Sequence, residues 1–278
     1  MNAATNTVLL LVALFFSGCA GLPMFKSPAS TADGIAARAG FTKEYVNPCM
    51  FNLLTFHKFD PTAKVLNIYI EGDGRAWLNK HELSDDPSPM HPVALELAAQ
   101  DASGNVAYIA RPGQYSPTGI PHCAAKYWAG SRFSPQVIKA MDEAITILEK
   151  EAGANQVVLT GYSGGGAVAV LVAAQRTDVV GLRTVAGNLN PSAWCAQHHV
   201  SPLKGSLDPM TVAAKVAGIR QRHFVGSKDQ NVPMVMAKSF VAKAGDKDNR
   251  RITLVDGASH NDGWSQRWRE LLKIELSQ

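Results

Sequence analysis

Ser163, Asp229 and His260 are the residues whose types and settings fit hydrolytic chemistry. Ser163 lies in Gly161-Tyr162-Ser163-Gly164-Gly165, between the β-branched run 156–161 and a stretch of small residues from 164 to about 176 that reads as a helix. A serine on so sharp a strand-to-helix turn needs glycines around it, because a Cβ there would strike the neighbouring strand and helix. The helix then aims its free N–H groups at a reacting carbonyl, and the first of these belongs to Gly164. A hydroxyl is a weak nucleophile until a base takes its proton and an acid orients that base. His260, after the strand-like run 251–255, is the candidate base. Asp229, after the run 222–225, is the candidate acid, and Asp208 is its rival. Asp256 and Asp262 stand too near His260 in the chain to brace its ring.

The elements that must position these groups follow from the pattern. Runs 65–70, 106–110, 156–161 and 179–185 are rich in apolar and β-branched residues, which marks strands buried on both faces, and 222–225 and 251–255 complete the strand set. A short helix is expected over 92–100. A longer one follows Ser134-Pro135, a cap with proline at the first helical position, and ends at Gly153. A last helix is expected from about 264 to 274. This alternation implies an α/β architecture, a mostly parallel sheet with helices on both faces. Residues 188–210 interrupt it and read as a loop or lid over the sheet's C-terminal edge.

With these residues in view, the segment from about Val65 onward resembles an α/β-hydrolase. The run Gly226-Ser227-Lys228-Asp229-Gln230-Asn231-Val232-Pro233 is similar to the acid loop of that family, and the order Ser163, Asp229, His260 is the family's order. Glu71-Gly72-Asp73-Gly74 resembles the family's His-Gly-x-Gly loop with Glu71 in the histidine's place. That resemblance implies that the Asp73 N–H joins Gly164 in an oxyanion hole, with Gly74 as the nearest competitor. Together with Tyr69-Ile70, Arg111-Pro112-Gly113-Gln114-Tyr115 and Tyr127-Trp128, these stretches make the whole chain similar to α/β-hydrolase lipoproteins of Gram-negative bacteria. The implied activity is hydrolysis of carboxylic esters or thioesters through an acyl-enzyme. The alternatives are a peptidase or depolymerase of the same fold, or a catalytically idle scaffold that binds ligands in the envelope. Trp77, Tyr115, Trp128 and Trp194 fall in loops expected near the catalytic edge.

The remaining sequence sets the context. The chain has 278 residues, 46% of them hydrophobic, enough for one large domain with a buried core. A net charge of +4 without clustered Lys and Arg excludes a nucleic-acid groove. No G-x-x-x-x-G-K-[ST] or G-x-G-x-x-G motif points to nucleotides. His198 and His199 are adjacent and share no carboxylate pattern, so no metal or other cofactor is expected; His57, His81, His91, His122 and His223 read as structural. Residues 8–16 form an apolar run too short to span a bilayer and suited to a signal peptide over 1–18. It ends in Ser17-Gly18-Cys19, which resembles a bacterial lipobox, the alternative being an ordinary secretory signal cut near Ala20. The expectation is a Cys19 carrying lipid, a flexible tether over 19–40, a hydrolase domain over 41–278, and an outer-membrane location. The partners implied are a small-molecule or lipid-like ester and the membrane, with no obligatory protein. Export would leave Cys49, Cys123 and Cys195 as one disulfide and one free thiol.

Overall fold

The computed structural model describes residues 27–79, 81–116, 123–246 and 248–277. The leader, Cys19 and the first part of the expected tether lie outside the described residues. The chain begins with helix α1 (Pro28–Arg38), strands β1 (Thr42–Val46), β2 (Leu53–Lys58) and β3 (Val65–Ile70), and a hairpin of β4 (Trp77–Asn79) and β5 (Glu82–Leu83). Helix α2 (Val93–Gln100), β6 (Asn105–Ile109), α3 (Pro135–Ala152), β7 (Gln156–Tyr162) and α4 (Gly164–Ala173) follow. The rest comprises β8 (Val179–Val185), α5 (Pro191–Gln197), β9 (Gln221–Gly226), α6 (Met234–Lys243), β10 (Ile252–Val255) and α7 (Trp268–Leu271).

Eight strands form one sheet in the order β1-β2-β6-β3-β7-β8-β9-β10. Every neighbouring pair from β6 to β10 is parallel, while β1 and β2 add an antiparallel edge. Because successive side chains of a strand point to opposite faces, β3 sends Leu66, Ile68 and Ile70 into one core and Tyr69 into the other. Helices α3, α4 and α6 cover the first face; α1, α2 and α7 cover the second. Helix α3 is amphipathic and punctuated as expected, with Ser134 accepting from Val137 N at 3.4 Å and Gly153 left-handed at φ 62°. Helix α4 is buried along its whole length, so its small residues let it pack tightly against the sheet. Among the described residues no helix is long and apolar enough to cross a membrane.

Three expectations are corrected. Residues 28–38 are helix rather than tether: Ser27 caps α1 by accepting from Ser30 N at 3.1 Å, and Ala32 and Ala36 are buried in the core. The small side chains that suggest a linker are those that allow close helix packing. The last helix is broken into a 3₁₀ turn, Ser265–Arg267, and the short α7, with Trp264 and Trp268 fully buried. The three described cysteines are all free. Cys49 is exposed and donates to Glu143 Oε2 at 2.7 Å, whereas Cys195 is buried.

Candidate active site

Strand β7 ends at Tyr162 and α4 begins at Gly164, so Ser163 alone makes the turn, at φ 50° and ψ −119°. That backbone is strained for a residue with a Cβ and persists only where its surroundings enforce it. Here Ser163 N donates to Val185 O at 3.0 Å, and Ser163 O accepts from Gly166 N at 3.0 Å and Asn188 N at 2.9 Å. A methyl group on Gly161 would collide with the Gly165 carbonyl, and one on Gly165 with the carbonyls of Ile70 and Glu71. The glycines are therefore required by contact between α4 and the ends of β3 and β7.

The loops after β9 and β10 bring the other two groups to the serine. His260 Nε2 is 3.0 Å from Ser163 Oγ, and His260 Nδ1 is 2.9 Å from Asp229 Oδ2. Asp229 is buried, and its Oδ1 accepts from Asn231 N at 2.9 Å and Val232 N at 2.8 Å, which leaves Oδ2 for the histidine. A carboxylate only accepts, so the imidazole proton belongs on Nδ1 and the lone pair of Nε2 faces the serine hydroxyl. The histidine loop is itself pinned: Tyr162 Oη shares its one proton between Asn261 Oδ1 and His260 O, and Trp264 Nε1 donates to His260 O at 3.0 Å. Asp208 is occupied elsewhere, accepting from Met210 N at 2.9 Å and Ser192 Oγ at 3.1 Å. Asp256 and Asp262 accept from Ser227 and Ser259.

The loop after β3 closes the site. Neither Gly164 N–H nor Asp73 N–H has a hydrogen-bond acceptor among the described residues. Glu71 braces this loop as an acceptor, its Oε1 taking Gly72 N at 2.9 Å and Ala94 N at 3.4 Å; burial pushes its pKa up to about 7. Gln114 holds the same loop from outside by donating Nε2 to Gly72 O at 3.0 Å. The Asp73 side chain lies against Gly164, where an added methyl would collide with Oδ1. Arg132 Nη1 meets Asp73 Oδ2 at 2.7 Å and Arg111 Nη1 meets Oδ1 at 3.4 Å. Motif reading misses this pair of arginines; the available signal is Arg111, a charge at the end of the buried run 105–109.

A cavity of about 610 Å³ opens over Ser163 and His260, with Asp73, Arg132, Trp77 and Trp194 in its walls. Of the four aromatic residues in loops expected near the catalytic edge, Trp77 and Trp194 line the cavity, whereas Tyr115 and Trp128 are buried outside its lining, Trp128 packed against Gly113. The expected lid, 188–210, contributes Asn188 and Trp194. It is tied to the acid loop by Trp194 Nε1 on Asn231 O at 2.9 Å and His198 Nε2 on the same oxygen at 2.8 Å. Away from the cavity, Glu44, His57 and Glu151 bring three donor atoms within 4.8 Å of one another, an arrangement able to hold a cation.

Comparison with solved structures gives this geometry its setting. An esterase of Pyrococcus furiosus superposes with a TM-score of 0.57 at 14% identity, covering 87% of this chain and 94% of that one. The fold is that of the α/β-hydrolases. A bacterial membrane phospholipase A matches this hydrolase fold over 88% of this chain and 90% of its own, with a TM-score of 0.57 and 12% identity. The acylaminoacyl peptidase of Pyrococcus horikoshii gives 0.59 at 13% identity over 86% of this chain, which spans only 42% of that protein. No known family model and no curated protein matches the sequence.

Proposed function

We propose that this protein is a serine hydrolase that cleaves carboxylic esters or thioesters through an acyl-enzyme. The observation that carries the reading is the unbroken hydrogen-bonded line from Asp229 through His260 to Ser163 on a strained elbow. Ser163 Oγ attacks the carbonyl carbon as its proton passes to His260 Nε2, and Asp229 stabilises the imidazolium. The oxyanion is received by the N–H groups of Gly164 and Asp73. On collapse, His260 gives its proton to the leaving alcohol or thiol; a water deprotonated by His260 then releases the acid. The ester reading draws support from two solved hydrolases whose length this chain nearly spans, an esterase and a phospholipase. Fluorophosphonate labelling of the purified protein, followed by ester, thioester and peptide panels, tests it. A folded protein that takes no label and turns over none of the panels overturns the reading in favour of a binding protein.

The location belongs to the same proposal. The apolar run 8–16 followed by Ser17-Gly18-Cys19 supports a mature protein that begins at an acylated Cys19 and stands on the outer membrane. Each buried CH₂ adds roughly 0.8 kcal/mol, and stable anchoring takes more than one chain. Mass spectrometry of the mature N-terminus decides this: acylated Cys19 supports it, and an unmodified N-terminus downstream overturns it.

A further inference from the structure

We propose that the cavity selects substrates bearing an anionic group, a carboxylate or a phosphate, close to the scissile ester, and that Arg132 binds that group. The proposal rests on the serine-hydrolase reading and names its substrate class. Two buried guanidiniums, Arg111 and Arg132, share the single carboxylate of Asp73. Buried charges are ordinarily matched by partners, because an unmatched one loses its hydration without return. Here two guanidiniums contact one carboxylate, so positive charge is in excess at the contact. The other carboxyl lining the cavity, Glu71, turns its Oε1 to the N–H groups of Gly72 and Ala94. With burial raising its pKa to about 7, it supplies no full second negative charge at neutral pH. Arg75, exposed at the same cavity, adds to the positive side.

The hydrogen bonds point the same way. Arg132 uses Nε on Ala129 O at 2.8 Å and Nη1 on Asp73, while Nη2 bonds to none of the described residues and the side chain lines the cavity. Arg111 fixes Arg132 by donating Nη2 to its carbonyl oxygen. The guanidinium is therefore held by its neighbours with one nitrogen, Nη2, left over to donate to an anion's oxygen. Asp73 packs against Gly164, next to the nucleophile, so Arg132 stands one carboxylate's breadth from the reacting centre. An incoming carboxylate or phosphate engages this free Nη2, beside the Asp73 carboxylate that holds Nη1.

The experiment compares kcat/KM for monomethyl succinate and monomethyl glutarate with their dimethyl esters, and for an acetyl ester of glycerol phosphate with neutral glycerol acetates. The expected result is a preference of about tenfold or more for the anionic member, equivalent to ~1.4 kcal/mol, that shrinks as salt rises. Preference for the dicarboxylate half-esters identifies a carboxylate, and preference for the phosphate ester identifies a phosphate; either supports the proposal. Arg132→Gln should bring the ratio near one, and Arg132→Lys should keep part of it. Should Arg132→Gln not fold, succinate and inorganic phosphate must still inhibit wild-type hydrolysis of the neutral ester competitively. A labelled, active wild-type enzyme that treats charged and neutral esters alike, or a preference that survives in Arg132→Gln, overturns the anion site alone. A wild-type protein that neither labels nor hydrolyses any ester overturns the hydrolase reading and this proposal with it.

Discussion

Tyr162, the residue before Ser163, places its hydroxyl 3.1 Å from the main-chain carbonyl of His260. The same hydroxyl is 2.7 Å from Asn261 Oδ1, so the elbow that carries Ser163 also fixes the loop that carries His260. Removing this hydroxyl leaves the fold's core untouched and loosens only the histidine. Tyr162→Phe should therefore lower kcat by about tenfold with little change in KM, since misplacing a base by an ångström is costly. Steady-state kinetics on a neutral ester checks this, and an unaltered kcat contradicts it.

The acid assignment separates two aspartates. Asp229→Asn should keep the fold and lose about 10⁴-fold in kcat, because an amide presents the wrong hydrogen-bonding group to His260 Nδ1. Asp208→Asn, which alters the cap of a 3₁₀ turn, Pro209–Val212, and a contact with Ser192, should leave kcat within about threefold. Parallel kinetics of the two variants decides, and an exchange of their effects refutes the assignment.

How far the sequence reveals this arrangement depends on the range of the signal. The elbow, the parallel strands and helix α3 are local patterns, legible because β-branched runs, glycines and caps act over a few residues. Ser163, Asp229 and His260 are legible for the same reason: each follows a strand. The antiparallel pair β1 and β2 is not, since β1 is mostly polar and part-exposed and neither strand leads into a motif. Helix α1 is hidden because alanine and serine serve a tight helix interface as well as a linker. Of the arginines around Asp73, only Arg111 leaves a trace, as a charge ending a buried run; its meeting with Arg132 at Asp73 arises only through tertiary folding.

Glu71 gives the fold a pH dependence. Its folded pKa of about 7 lies above the ordinary glutamate value of 4.5, so the folded protein keeps a proton that the unfolded chain has released. Stability is then lost as pH rises from about 4.5 to about 7, by on the order of 3 kcal/mol in total. Glu71→Gln, whose Oε1 still accepts from Gly72 and Ala94, should lack this slope. Urea unfolding at pH 5 and pH 8 measures it: the variant should gain on the wild type at the higher pH, and parallel pH profiles contradict the account.

The elbow tolerates no side chain at Gly165. Gly165→Ala should cost about 3 kcal/mol or more, because backbone carbonyls of Ile70 and Glu71 occupy the methyl's place and cannot yield as a flexible side chain does. Gly153→Ala, in open space at a helix end but at positive φ, should cost only about 1 kcal/mol. Denaturant midpoints of the two variants provide the comparison, and equal losses would refute the packing argument.

The central claim is that Ser163 is the nucleophile, and Ser163→Ala tests it most directly. The variant removes one oxygen from a half-buried residue, so its thermal midpoint should stay within about 2 °C of the wild type. It should take no fluorophosphonate, and kcat/KM for activated esters should fall by about 10⁴-fold or more. A folded Ser163→Ala protein that keeps more than about a tenth of wild-type kcat/KM would contradict the account.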